Sequence, residues 1–315
     1  MNNILKAFGI IVLVISVHAT VMAADWTAVT DNKFGKTDIY AITYGNNKFV
    51  AVGGSGKMAT STNGTAWTAV KDSKFGTSDI WGIAFGNNLF VAVGSAGKIA
   101  TSTDGTTWTA VSNSRFSKDE YIKGIAFGNN MFVAVGGGGK IAISTNGTAW
   151  TAVKDSKFGL TEIRAVAFGN NKFVAVGEAG KMSTSTNGTT WTAIADSKVD
   201  KNHFYGIAFG NNKFIAVGGD GKMATSTDGA VWTAVNVSNI LLYINAIAYG
   251  NNKFFAGGGE GKILTSTNGT TWTAVQDSKF RIDPQTGQTN ICAIAYGNSK
   301  FVAVGWSGQM SYLSD

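Results

Sequence analysis

Cysteine and proline each occur once in the 315 residues, and histidine only twice. A lone cysteine, Cys292, excludes an intramolecular disulfide, so stability has to come from packing and sheet hydrogen bonds. It sits in the apolar run Ile291 to Ala295 and reads as a small buried hydrophobe rather than a reactive thiol. Charged residues make up only 14% of the chain, which disfavours long surface helices and charged disordered tails. His203 is the only histidine beyond the first 23 residues. That excludes a histidine-rich metal site, while calcium ligation by Asp and carbonyl oxygens stays open. The run Gly53 to Met58 lacks the first glycine and the Ser/Thr of a phosphate-binding loop, and no helix is expected after it.

What is abundant is glycine, 41 in all, with Thr, Ala, Val, Asn and aromatics, a mixture suited to strands joined by tight turns. The N-terminus reads as a signal peptide over residues 1–23. Lys6 supplies the positive charge, Ala7 to Val17 an apolar run too short to span a bilayer, and Val21-Met22-Ala23 the cleavage site. No cysteine is near that site, so the lipid-modified type of signal is excluded. The expectation is a secreted or periplasmic protein of one domain, residues 24–315, with no transmembrane segment after cleavage. Removing Lys6 leaves 25 basic against 19 acidic residues, a net charge of +6. Lysines recur at one place per repeat (Lys57, Lys98, Lys140, Lys181, Lys222, Lys262), and charge spread around a ring argues against specific nucleic-acid binding.

The segment from Ile42 to Val70 recurs to the end of the chain. The Phe that follows Gly-Asn-Asn-Xaa, or its Gly-Asn-Ser-Xaa variant, stands at 49, 90, 132, 173, 214, 254 and 301. Spacings near 41 residues suit four short strands per copy, the module of a propeller blade. Alternation and punctuation predict strand A at 40–44, strand B at 48–52, strand C at 57–61 and strand D at 66–70 in the first copy. The Asn-Gly and Asp-Gly pairs between C and D are strong hairpin signals, because those residues tolerate positive φ. Trp26 aligns with Trp67 although no strand A precedes it, and Asp315 aligns with Asn63 although no strand D follows it. The expected fold is therefore all-β: a seven-bladed β-propeller of four-stranded antiparallel blades, with the N-terminal strand completing the C-terminal blade. Such closure pairs two strand edges that would otherwise be open.

Ser102-Thr-Asp-Gly-Thr-Thr-Trp108 resembles the Asp-box (BNR-like) hairpin of sialidase-superfamily propellers, and full copies begin at Ser61, Ser144, Ser185, Ser226 and Ser266 as well. The resemblance implies a structural role for Asn63, Asp104, Asn146, Asn187, Asp228 and Asn268 in locking the C–D turn. It also implies that Trp67, Trp108, Trp150, Trp191, Trp232 and Trp272 pack between blades. Asn replaces the motif's Asp in four copies, and its side-chain oxygen can still accept backbone N–H groups. The Asn-Gly-Thr triplets match the N-glycosylation pattern but are better explained as these turns. Proteins with this repeat range from sialidases to receptors and assembly factors, so the resemblance fixes no function.

Turns of a meander alternate between the faces of the disc. The A–B and C–D turns share one nearly invariant face; the D–A and B–C connections share the other, where the copies differ. Candidate ligand-binding residues therefore come from the variable face. One ring, near the channel mouth, reads Tyr40, Trp81, Lys123, Arg164, Tyr205, Asn245 and Cys292. Two residues earlier a second ring reads Asp38, Asp79, Tyr121, Glu162, His203, Tyr243 and Asn290, on the same side of the strand by period-two spacing. Trp306 maps to this face too.

Aromatic rings beside polar groups suit saccharides, and a saccharide is the favoured ligand class of a non-enzymatic, monomeric binding module needing no cofactor or metal. A protein partner, or an assembly-scaffold role, is the alternative. A sialidase-like or other glycoside hydrolase ranks third. Arg115, Arg164 and Arg281 are the arginines available for a carboxylate clamp, and Asp38, Asp79 and Glu162 the carboxylates available for acid–base work. No catalytic residue is assigned.

Overall fold

The computed structural model describes residues 25–199, 202–237 and 243–315; the expected signal segment and its cleavage site lie outside them. Seven four-stranded antiparallel sheets account for its strands. In the first blade strand A is Ile39–Gly45, B is Lys48–Gly53, C is Met58–Ser61 and D is Thr68–Ala69. Strand D is shorter than expected because the residues before it, Ala66 and Trp67, are held by the turn. The seventh sheet runs Thr27–Ala28, Met310–Ser314, Lys300–Gly305, Ile291–Gly297, with Thr27 opposite Tyr312 and Ala28 opposite Ser311. The ring is thus closed by the N-terminal strand, as the repeat count predicts.

Each strand A packs against the strand A of the next blade, and Ile291–Gly297 packs back on Ile39–Gly45. These seven strands line the central channel. Strand B is buried on both sides: Phe49 and Ala51 enter one inter-blade core, Val50 and Val52 the next. This is why the sequence there reads as an unbroken apolar run rather than an alternating one. Neighbouring blades also interlock at the end of strand A. A Cβ on Gly45 would stand 2.1 Å from Phe85 Cγ, and the same relation recurs around the ring until Gly297 meets Tyr44. Only glycine lets each aromatic ring lie flat on the preceding blade.

The invariant face is held by turn chemistry. Asn46 and Asn47 have φ of 46° and 56°, the left-handed pair of a type I′ hairpin. In the first C–D turn, Ser61 Oγ accepts from Gly64 N at 2.8 Å, and Asn63 Oδ1 accepts from Thr65 N and Ala66 N at 3.0 and 2.9 Å. Asp104 does the same with Thr106 N and Thr107 N. Partial burial opposes its ionisation, yet the hydrogen bonds from Thr107 and Thr106 win and hold the carboxyl well below the usual range. Trp67 Nε1 donates to Gly64 O, and five of the six hairpin tryptophans are buried; Trp272 is partly so. Side chains of one blade also reach the C–D turn of the next, as Asn46 Nδ2 does to Thr103 O and Lys48 Nζ to Asp104 O.

The other face is more ordered than its sequence variation suggests. Among the described residues six D–A connections carry a small anchor, of which Asp72-Ser73-Lys74-Phe75 is the type. Asp72 Oδ1 accepts from Lys74 N, Ser73 Oγ donates to Gly56 O, and Phe75 is fully buried. Asn32, Ser114, Ser156 and Ser278 repeat the bond to the preceding turn, beside Phe34, the partly buried Phe116, Phe158 and Phe280, while Ser197 and Val199 share only the burial. The ring seam differs from the other junctions. The seventh C–D hairpin is split between the two ends of the described chain, Leu313 stands where other blades carry the hairpin Ser, and Phe255 stands where they carry Val or Ile. Phe255 fills the junction with Trp26 (5.7 Å, edge-on) and Phe301 (4.5 Å).

Candidate binding face

Every strand A is interrupted at one place. Ile39 pairs with Gly53 and Ala41 with Val52, so Tyr40 is an extra residue, and the same bulge falls at Trp81, Lys123, Arg164, Tyr205, Asn245 and Cys292. Ile39 and Ile42, three apart, consequently enter the same core. A bulge re-aims one side chain without disturbing the rest of the strand. Here it turns the seven residues of the first ring toward the channel, where they line one cavity. Simple period-two alternation, expected from the sequence, does not run through this point.

The ring is internally occupied. Tyr40 stacks on Trp81 with centroids 4.3 Å apart and 23° between planes, and Lys123 Nζ lies 3.6 Å from the Trp81 ring centroid. Since Tyr40 and Lys123 belong to the blades on either side, Trp81 is sandwiched. Its Nε1 donates to Ser95 Oγ at 2.9 Å. Burial, then the charges of Asp38 and Asp79, push the Tyr40 phenol up to about 12. Burial likewise lowers the Lys123 pKa, against the opposing pull of Glu162. Arg164 Cζ lies 5.3 Å from the Tyr205 centroid, and its Nη2 donates to Glu178 Oε1 at 2.7 Å. Asn245 Nδ2 donates to Asn290 Oδ1. Burial raises the Cys292 thiol far above its ordinary range, so it stays protonated and unreactive.

The second ring is partly structural. Asp38 Oδ1 accepts from Ser307 N (2.8 Å), Asp79 Oδ1 from Ser55 N (2.9 Å) and His203 Nδ1 from Ala179 N (3.1 Å). Each acceptor serves the left-handed middle residue of the preceding blade's B–C turn, so these groups join blades. Glu162 Oε1 lies 3.5 Å from Arg164 Nε. The arginines are likewise engaged apart from one another: Arg115 Nε donates to Trp150 O, and Arg281 grips Asp277 with both terminal nitrogens. Among the described residues no group of His, Cys, Asp or Glu could hold a metal ion.

A roomy feature of this face lies off the axis, over blades 5, 6 and 7. It is an open cleft of 840 Å³ lined by Tyr205, Asp220, Tyr243, Asn245, Glu260, Lys262, Ile282, Asn290 and Trp306, among others. Tyr205, Asn245 and Trp306 were legible as candidates from the aligned copies, and Tyr243 and Asn290 belong to the second ring. Asp220, Glu260 and Ile282 lie outside both rings. The signal was present: Asp220 and Glu260 are the acidic exceptions at a turn position that elsewhere holds Ser, Ala or Gly. A second cavity, of 900 Å³, lies at the seam left by the split hairpin, lined in part by Trp26, Phe255, Phe301 and Leu313.

No helix of the described residues is long and apolar enough to cross a membrane. No family model matches the sequence, and no curated protein matches it. Solved structures do match over most of its length. YCF48 bound to D1 peptide superposes with a TM-score of 0.70 at 20% identity, covering 92% of this chain and 97% of that one. A streptogramin B lyase reaches 0.76 at 13% identity, covering 93% and 99%. The WD40 β-propeller domain of Doa1 gives 0.68 at 11% identity, covering 92% and 97%. At these identities the likeness is one of fold, and it sets this chain among propellers, a class holding peptide-bound proteins and lyases alike.

Proposed function

We propose that this protein is a non-enzymatic recognition propeller, exported from the cytoplasm, that binds an extended segment of a protein partner on the face formed by the D–A and B–C connections. One observation carries the reading. Among the described residues the exposed large apolar side chains are Tyr121, Leu160, Val231, Tyr243 and Ile282; all but Val231 stand on D–A connections, and two of them line the off-axis cleft. Exposed apolar groups gathered on one face mark a partner surface. The peptide carried by YCF48 in its structure fits the same reading. The C–D hairpins are read as kin to the Asp-box, in a scaffolding capacity.

The favoured saccharide of the sequence reading loses its main support at Trp81, whose two ring faces are covered by Tyr40 and Lys123. A sugar-stacking platform needs a free face. Catalysis gains no support either, because Asp38 and Asp79 are committed to turn N–H groups and the arginines do not converge.

The test is parallel screening of the full chain on a peptide array and a glycan array. Selective peptide capture is expected, weakened at least tenfold by Trp306→Ala or Tyr243→Ala and unaffected by Val231→Ala on the opposite face. Capture of glycans alone would return the saccharide reading.

A further inference from the structure

The B–C turns change from the fourth blade onward: Glu178 of blade 4 is paired with Arg164, and the next three blades form one arc of this face. Their B–C turns read Gly219-Asp220-Gly221, Gly259-Glu260-Gly261 and Trp306-Ser307-Gly308, where the first three blades carry only Gly, Ser and Ala before the closing Gly. Asp220 and Glu260 occupy the left-handed middle position, with φ of 52° and 56°. Acids there bring both carboxylates to the off-axis cleft, which Tyr243 and Trp306 also line.

On the neighbouring blades, and at Tyr205 on the edge of the cleft, the protein supplies its own cation to its aromatic rings. Lys123 Nζ stands 3.6 Å from the Trp81 centroid and 5.0 Å from that of Tyr121, and Arg164 lies over Tyr205. Among the described residues no cation lies over Tyr243 or Trp306. The Asp220 carboxylate likewise has no hydrogen bond or ion pair among them. Glu260 is paired with Lys262 Nζ at 2.6 Å, but both side chains are about half exposed, so the pair is screened and exchangeable. Two carboxylates against one ammonium leave the lining with a net negative charge, on a protein whose overall charge is positive.

We propose that this cleft receives a basic side chain, Arg or Lys, of the bound segment. Its charge would lie against the Tyr243 and Trp306 rings and between the Asp220 and Glu260 carboxylates. Ring quadrupole and carboxylate attract the same cation, and each is stronger where the cleft thins the water. The inference rests on the peptide reading above and adds the chemistry that the peptide must carry.

The experiment resynthesises the array-selected peptides with each Arg replaced by citrulline or each Lys by acetyl-lysine. Binding is measured to the full chain and to the Asp220→Asn/Glu260→Gln variant, whose changes are confined to exposed turn side chains. Selected sequences should share a basic residue, and neutralising it should weaken binding at least tenfold. The variant should lose a similar factor for the charged peptide and little for the neutralised one, with the loss shrinking at high salt. Selected peptides without a shared basic residue, or equal affinity for charged and neutral forms, would overturn this assignment and leave peptide recognition standing. An array that retains nothing would sink both.

Discussion

Tyr40 shows what a single bulged residue does in this fold. Its ring is released from the sheet alternation, stacks on the next blade's Trp81, and is desolvated between two aspartates, which pushes its phenol up to about 12. A pKa raised on folding means that the neutral form is favoured in the native state. The linked stability is complete below the unfolded value near 10 and is lost as pH rises through about 12. Thermal unfolding between pH 9 and 12 should therefore show a loss of stability that Tyr40→Phe reduces; an unchanged pH profile in that variant would refute the assignment. The ring residues themselves were readable by aligning copies, since the bulge recurs at one alignment position. The bulge was not, because it is a shift in pairing register with strand B, which one strand's own sequence does not display. Nor could the sequence show that Asp38, Asp79 and His203 are acceptors for a neighbouring turn, a bond between residues of different blades.

At the scale of the element, turns carry most of the specification. The type I′ Asn-Asn turns and the Ser-Thr-Asn/Asp-Gly hairpins are local, each bond spanning two or three residues, and so were legible in the chain. The Ser-Lys-Phe anchors reach 17 residues back to the preceding B–C turn, so the recurrence of Asp-Ser-Lys-Phe at 72, 155 and 277 does not by itself reveal the bond. Removing one hairpin acceptor by Ser226→Ala leaves the buried Gly229 N–H unpaired. A loss of about 1–3 kcal/mol is expected in denaturant unfolding. Gly45→Ala tests the junction between blades, because its Cβ would overlap the Phe85 ring. Overpacking of about 1–3 kcal/mol is expected there. Neutral behaviour of Gly45→Ala would mean that adjacent blades do not meet so closely.

The whole molecule is a ring of near-equivalent blades in which equivalence fails twice, each time with a physical reason. At the seam the hairpin is split, and Phe255 and Leu313 supply apolar bulk in place of Val and Ser. Phe255→Ala should therefore cost about 3–5 kcal/mol. Over blades 5 to 7 acidic and aromatic residues gather around an 840 Å³ cleft, the site proposed for a basic side chain. The repeat count made the ring and its closure readable; the cleft depends on how three separate connections converge in space, which one chain's sequence does not display. The most direct measurement is the affinity of an array-selected peptide for the full chain, for Trp306→Ala in the cleft and for Val231→Ala on the opposite face. The account predicts a loss of at least tenfold for Trp306→Ala, about 1.4 kcal/mol or more, and none for Val231→Ala. Equal binding by all three would place recognition elsewhere and contradict it.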